Sequence, residues 1–296
     1  MLTIRTDLAV EAHALWRRRA GETAELTGVS AGETACEGLP LTHVEILDEE
    51  GARTLGKPRG RYFTLDVSAL WQREEGAFRR CALAVAEILE PLIPKEGPVL
   101  VAGLGNRAMT PDALGPRTVD QLLVTRHLGE LVPGLRPVAA LAAGVLGDTG
   151  MEAAEWVRGG AEHIRPAGVI VIDALAAGDL ERLCGSIQIS DAGLTPGSGV
   201  GNHRKALDRT SLGVPVISIG VPTVVDAATV AVHVLEEAGQ SAPEDCAALH
   251  GRGTKLFVTP DGIDRQIKEL SAVLARGISL ALQPRLDYED LEALLS

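Results

Sequence analysis

Two aspartates stand where an α/β chain keeps its chemistry. Asp112 lies in TPDALGP, just beyond the apolar run PVLVAG and the GLGN that ends it; Asp173 closes the run GVIVID. In parallel sheets ligands gather beyond the carboxyl ends of the strands, so the residues just after such runs matter most. An aspartate closing a fully apolar run loses its hydration unless something pairs with it. If the two runs are neighbouring strands, both carboxyls enter one crevice, where they do not both ionise easily and one keeps its proton. One can then activate water as a base while the other polarises a carbonyl. Taken alone, Asp112 ahead of Gly115-Pro116 reads more simply as an acid drawn to the positive end of a helix.

Residues 188–205, QISDAGLTPGSGVGNHRK, form the most unusual loop. Gly197, Ser198, Gly199 and Gly201 admit three functional readings besides a bare surface loop. Ser198 as a nucleophile lacks the G-x-S-x-G elbow, because Pro196 occupies the first glycine position. A cradle of backbone N–H groups with Arg204 and Lys205 suits an anion. A backbone-rich edge suits an extended peptide. His203 is the one histidine near this region, and none of the seven has metal-ligand spacing.

Other motifs are weaker. The G-x-G at 103–105 lacks the third glycine of a dinucleotide fingerprint, which falls at Ala108, and no acid closes a second strand about twenty residues on. Asp148-Thr149-Gly150 matches the tripeptide of pepsin-like enzymes, but those need two copies on a β-rich scaffold; turn chemistry accounts for it here. In GVPTVVD, Thr223 reads as a helix cap with Asp226 in the first turn. Arg126 shares the stripe of Val119, Leu122 and Leu123 on a helix expected over 116–130 and takes a structural role.

The elements that must position these residues follow from the apolar pattern. Runs at 98–103, 137–146, 168–173, 185–189 and 214–220 read as strands. Helical periodicity appears at 116–130, 150–164, 226–238 and 261–282. This alternation predicts an α/β fold with a parallel, doubly wound sheet. Upstream, a helix is expected within Met1–Ala20, a loop over 21–40, strands at His43–Leu47 and Arg61–Val67, and a helix over 75–92. One domain over 1–296 is expected, with a small N-terminal strand subdomain at about 43–72 and a core sheet at about 98–282. The acidic end from Asp287 reads as a short helix or a frayed tail.

Composition narrows the function. Apolar residues make up 46% and charged residues 23%, so the chain can bury a core. Aromatics are only 3%, which makes that core aliphatic and favours parallel strands covered by helices. With 28 basic and 40 acidic residues the net charge is −12, which disfavours non-specific nucleic-acid binding. No apolar run approaches the length of a membrane span, and no signal-peptide pattern opens the chain, so a cytoplasmic protein is expected. Cys36, Cys81, Cys184 and Cys246 are scattered and read as reduced core thiols.

The residues also carry a resemblance. RTDLAVEAHAL at 5–15, GLGN at 103–106, TPDALGP at 110–116, LLVTRHL at 122–128, IDALAA at 172–177, IQISDAGLTPGSGVGN at 187–202, GVPTVVDA at 220–227 and FVTPDGID at 257–264 resemble the spore germination protease family. The likeness runs nearly end to end, and the glycine-loop motif is highly specific. It implies a phosphorylase/hydrolase-like fold related to hydrogenase-maturation peptidases, and an endopeptidase that degrades small acid-soluble spore proteins. It also implies a zymogen processed near its N-terminus, a homotetramer, and a place in the developing forespore and spore core. Asp112 and Asp173 match the family's proposed catalytic aspartates, which lowers Ser198 as a nucleophile. Asn106, Gly197, Ser198, Gly199 and Gly201 are expected to bind substrate, with no cofactor or metal. Family members carry a propeptide ahead of the RTDLA segment, whereas Met1–Ile4 precede it here. Two other functions fit the same residues: a metal-dependent maturation-type peptidase using the two acids, and a phosphate or small-molecule-binding module using Gly197–Lys205.

Overall fold

The computed structural model describes residues 6–21, 25–132, 134–197, 204–240 and 256–295. Among them nine strands form one sheet: β1 (Val29–Cys36), β2 (Leu39–Ile46), β3 (Gly60–Asp66), β4 (Val99–Leu104), β5 (Val138–Gly144), β6 (Gly168–Ala177), β7 (Ser186–Ser190), β8 (Val216–Asp226) and β9 (Phe257–Val258). Their order is β1-β2-β3-β7-β8-β6-β4-β5, with β9 added to the far end of β8. The pairs β5–β4, β4–β6 and β6–β8 are parallel, as the apolar runs predicted. The pairs β1–β2, β2–β3, β3–β7 and β7–β8 are antiparallel, so the N-terminal strands continue the same sheet through β7.

Helices cover both faces. They are α1 (Ala9–Ala20), α2 (Glu49–Leu55), α3 (Ala77–Leu89), α4 (Leu114–Val119), α5 (Leu146–Thr149), α6 (Ala153–Ile164), α7 (Arg209–Leu212), α8 (Ala227–Glu237), α9 (Ile263–Leu282) and α10 (Tyr288–Leu295). Val101, Ile170, Ile172, Ile217 and Ile219 point to one face, beneath Val85 and Leu89 of α3 and Ile267, Leu270 and Leu274 of α9. Leu100, Ala102, Val169 and Val171 point to the other, beneath Ala154 and Val157 of α6. α1 covers the antiparallel part of the sheet with Leu8, Ala9 and Val10 against Val44, Ile46 and Tyr62. Period-two side chains buried on both faces are why these strands read as unbroken aliphatic runs.

Three local expectations change. Residues 21–40 are not all loop, because β1 pairs with β2 along its whole length through the two-residue turn Glu37-Gly38, where both φ values are positive (51° and 72°). That is the turn that matches strand twist in a tight hairpin. β1 is largely exposed and lacks apolar alternation, so no periodicity marks it. The helix expected over 116–130 stops at Val119. Beyond it, Thr125 N–H donates to Val138 O and Val138 N–H to Thr125 Oγ1, binding the chain to the start of β5. Arg126 is therefore exposed and off any buried stripe. β8 also continues past Gly220 to Asp226, and Asp226 rather than Thr223 caps α8, accepting from Ala228 N–H at 2.8 Å.

Candidate active site

The carboxyl ends of β4, β6 and β8 meet in a crevice of about 380 Å³ lined by Asp112, Asp173, Asp7, Arg204, Thr223 and neighbouring backbone. Each side chain is placed by a different element. Leaving β4, the chain turns at Gly105 (φ 108°), where a Cβ would collide with the Asp112 carbonyl. A single 3-10 turn over Thr110–Asp112 then leads into α4. Asp112 Oδ2 accepts from Asn106 N–H at 2.7 Å, which ties the acid to the turn. The glycines of GLGN thus serve a tight turn and a close approach rather than a dinucleotide. Gly103 and Gly115 complete the arrangement. A Cβ on Gly115 would stand 2.6 Å from Leu104 N and 2.7 Å from Ile172 O, so α4 lies directly on the backbone of β4 and β6.

Asp173 sits on β6, one residue beyond the last pair with β4 (Gly103↔Ile172) and opposite Gly220 of β8. It is only 7% exposed. Burial first, then the carboxylates of Asp112 and Asp7, push its pKa well above the ordinary range; the Ala174 N–H and Arg204 oppose this weakly. Asp112 is half-buried, and burial raises its pKa too, against the Asn106 N–H and Arg204, which favour the ionised form. Both acids therefore hold protons more tightly than free aspartate, Asp173 above all. β4 and β6 are neighbours, so the condition on which the pairing of the two acids depended is met.

Asp7 was not singled out from the sequence. It is the acid of the segment leading into α1, and nothing in local periodicity says where that segment lies. Its N–H donates to Ala176 O and its carboxylate accepts from Ala176 N–H at 2.9 Å, joining it to the end of β6. Gln188 clamps the same segment, donating to Asp7 O and accepting from Ala9 N–H, and Lys57 Nζ donates to Thr6 O. Glu11 anchors the next turn by accepting from the N–H groups of Gly178 and Asp179.

The glycine loop approaches the crevice from its other side. Leu194 and Leu207 exchange two backbone hydrogen bonds, closing the loop's base, and its flanks Gly197 and Arg204 line the crevice. Ser198, Gly199, Gly201 and His203 lie outside the described residues. Asn106 does not line the crevice. Its side-chain oxygen accepts from Ala108 N–H and its own N–H holds Asp112, so it stands behind the acid. The Asp148-Thr149-Gly150 tripeptide is an exposed helical turn ending in a left-handed glycine.

The crevice holds the carboxyl groups of Asp7, Asp112 and Asp173 with one cation, Arg204, a set that suits water activation better than it suits a phosphate. Among the described residues, no group of three His, Cys, Asp or Glu is arranged to hold a metal ion. Cys36, Cys81 and Cys184 are buried free thiols, each pushed up to about 12 by burial, and they take no part. No helix among the described residues is long and apolar enough to cross a membrane.

Comparison with known proteins adds an independent line. A model described as germination protease matches residues 9–246. The chain is 43% identical over 325 residues to the germination protease of Caldanaerobacter subterraneus subsp. tengcongensis, covering 100% of this chain and 99% of that one. It is 42% identical over 327 residues to that of Clostridium perfringens, covering 100% of both, and 47% over 237 residues to that of Bacillus cytotoxicus, covering 77% and 64%. Among solved structures, a NiFe hydrogenase maturation protease, HycI from Thermococcus kodakarensis KOD1, aligns with a TM-score of 0.39 at 21% identity, covering 66% of this chain and 98% of that one.

Proposed function

The chain belongs to the germination protease family, a hydrolase of peptide bonds acting in germination, and from that premise we propose that Asp112 and Asp173 cleave small acid-soluble spore proteins by activating one water molecule. The observation that carries the mechanism is the burial of Asp173 beside a second carboxyl, Asp112, in one crevice. Two such groups share one proton. Asp112 is the more exposed, accepts the Asn106 N–H and feels Arg204, so it is the ionised member and the base. Asp173 keeps the proton and is the acid.

The step balances. Water oxygen bonds to the peptide carbonyl carbon while Asp112 takes a water proton and Asp173 gives its proton to the carbonyl oxygen, leaving a neutral gem-diol. On collapse the C–N bond breaks, the proton on Asp112 goes to the leaving nitrogen, and Asp173 recovers its proton from a hydroxyl. Met109 and Phe257, exposed at 57% and 39% while lining the crevice, give its mouth apolar surface for an extended substrate. Gly197 and the glycine loop are assigned to hold that substrate, with Ser198, Gly199 and Gly201 from the motif. Assembly as a homotetramer and work in the developing forespore and spore core belong to the same reading.

Asp112→Asn and Asp173→Asn test it, because amides keep the shape and lose the proton chemistry. Each should lower kcat on a spore-protein peptide by about 10²–10⁴-fold with an unchanged circular dichroism spectrum. Full activity in either variant overturns the mechanism.

A further inference from the structure

Thr223 is fully buried, yet it lines the crevice that holds Asp112 and Asp173, and among the described residues its hydroxyl oxygen has no hydrogen-bond partner. Buried polar atoms are nearly always satisfied, and an orphan at a site needs a reason. Shape does not supply one. Valine is isosteric, and this stretch of β8 already uses Val221, Val224 and Val225.

The backbone explains how Thr223 comes to stand at the strand end, out of step with its neighbours. Along the β6–β8 ladder Leu175 pairs with Pro222 and Ala176 with Val224, so Thr223 is the extra residue of a bulge. Bulges re-aim side chains beside active sites. Pro222 brings no N–H to this point, and its carbonyl accepts from Cys184 N–H at 2.7 Å. The Thr223 carbonyl accepts from Thr259 Oγ1 at 2.8 Å. The bonds to the Pro222 and Thr223 carbonyls thus fix the bulge, and the Thr223 hydroxyl is left without a partner among the described residues. The bulge begins two residues beyond the Asp173↔Gly220 pair, at the same strand end as the acid.

We propose that Thr223 is a further substrate-contacting residue of the peptidase, its hydroxyl donating a hydrogen bond to the oxygen of the peptide carbonyl under attack. This rests on the aspartate reading above. The hydroxyl stays a donor throughout: no bond to Thr223 forms or breaks, and the proton transfers remain those of water, Asp112 and Asp173. The contact strengthens as the carbonyl oxygen gains charge, so it acts mainly on kcat. It also fits a site that tolerates an unsatisfied group in the free protein for the sake of its bound state.

Thr223→Val and Thr223→Ser separate this role from a structural one. On a spore-protein peptide, Thr223→Val should lower kcat by about 10²-fold with KM little changed, and Thr223→Ser should recover most of that loss. Because valine removes an unsatisfied buried hydroxyl, its Tm without substrate should equal or exceed the wild-type value. Three outcomes overturn the proposal: Thr223→Val within threefold of wild type, a serine variant as impaired as the valine variant, or an activity loss matched by a lower Tm. Asp112→Asn assayed in parallel keeps the two readings apart. An inactive Asp112→Asn beside a fully active Thr223→Val removes the Thr223 contact alone, whereas an active Asp112→Asn removes the aspartate mechanism.

Discussion

Asp173 sits where its carboxyl favours the proton, and that has a thermodynamic consequence. Its folded pKa is raised by burial and by the charges of Asp112 and Asp7. A group of this kind contributes stability that is full below its unfolded pKa, about 3.9, and lost as pH rises through the folded value. Within that window wild type should lose up to about 1.4 kcal/mol per pH unit relative to Asp173→Asn. The variant should therefore show the higher Tm at pH 8, with the gap closing toward pH 4; a gap flat with pH would contradict the assignment. The two proposed catalytic acids were legible because each closes or follows an apolar run. Asp7 was not, and Thr223 was read only as a helix cap. Asp7 reaches the site through a segment pinned by Gln188 and Lys57, and Thr223 through a bulge, and neither device leaves a local signature.

Elements position these residues by contact between backbones. α4 rests on β4 and β6 with only glycines between, Gly103 on the strand and Gly115 on the helix. Gly115→Ala would place a methyl group against Leu104 N and Ile172 O, which belong to the backbone and cannot rotate away. Moving α4 off the strand ends costs about 1–3 kcal/mol and carries Asp112 with it. Urea unfolding should register that loss, and activity should fall further than the folded fraction does; unchanged stability would show that α4 is not held so closely. The sequence marks the strands of this core because burial on both faces writes long aliphatic runs. It marks β1 and the end of α4 poorly, because β1 is mostly exposed and shows no apolar alternation, and the chain beyond α4 is held by Val138 of β5 rather than by its own periodicity.

For the whole molecule, net charge governs long-range approach to other charged molecules. At −12 the protein is repelled by DNA, so if the proposed spore-protein substrates coat DNA, the bound form is approached against a long-range barrier. Duplex DNA added to a DNA-binding substrate should slow its cleavage, with raised salt relieving the inhibition; equal rates for free and bound substrate would refute this. Composition, the aliphatic α/β pattern and the two aspartates belong to the sequence by itself, since side-chain burial and strand-end position are written in neighbouring residues. Strand order does not. β6 lies between β4 and β8, β7 joins the antiparallel strands to the rest, and the segment before α1 crosses to the end of β6. Only that arrangement brings Asp7, Asp112, Asp173 and Thr223 to one crevice, because convergence depends on register between segments far apart in the chain, which no local spacing encodes.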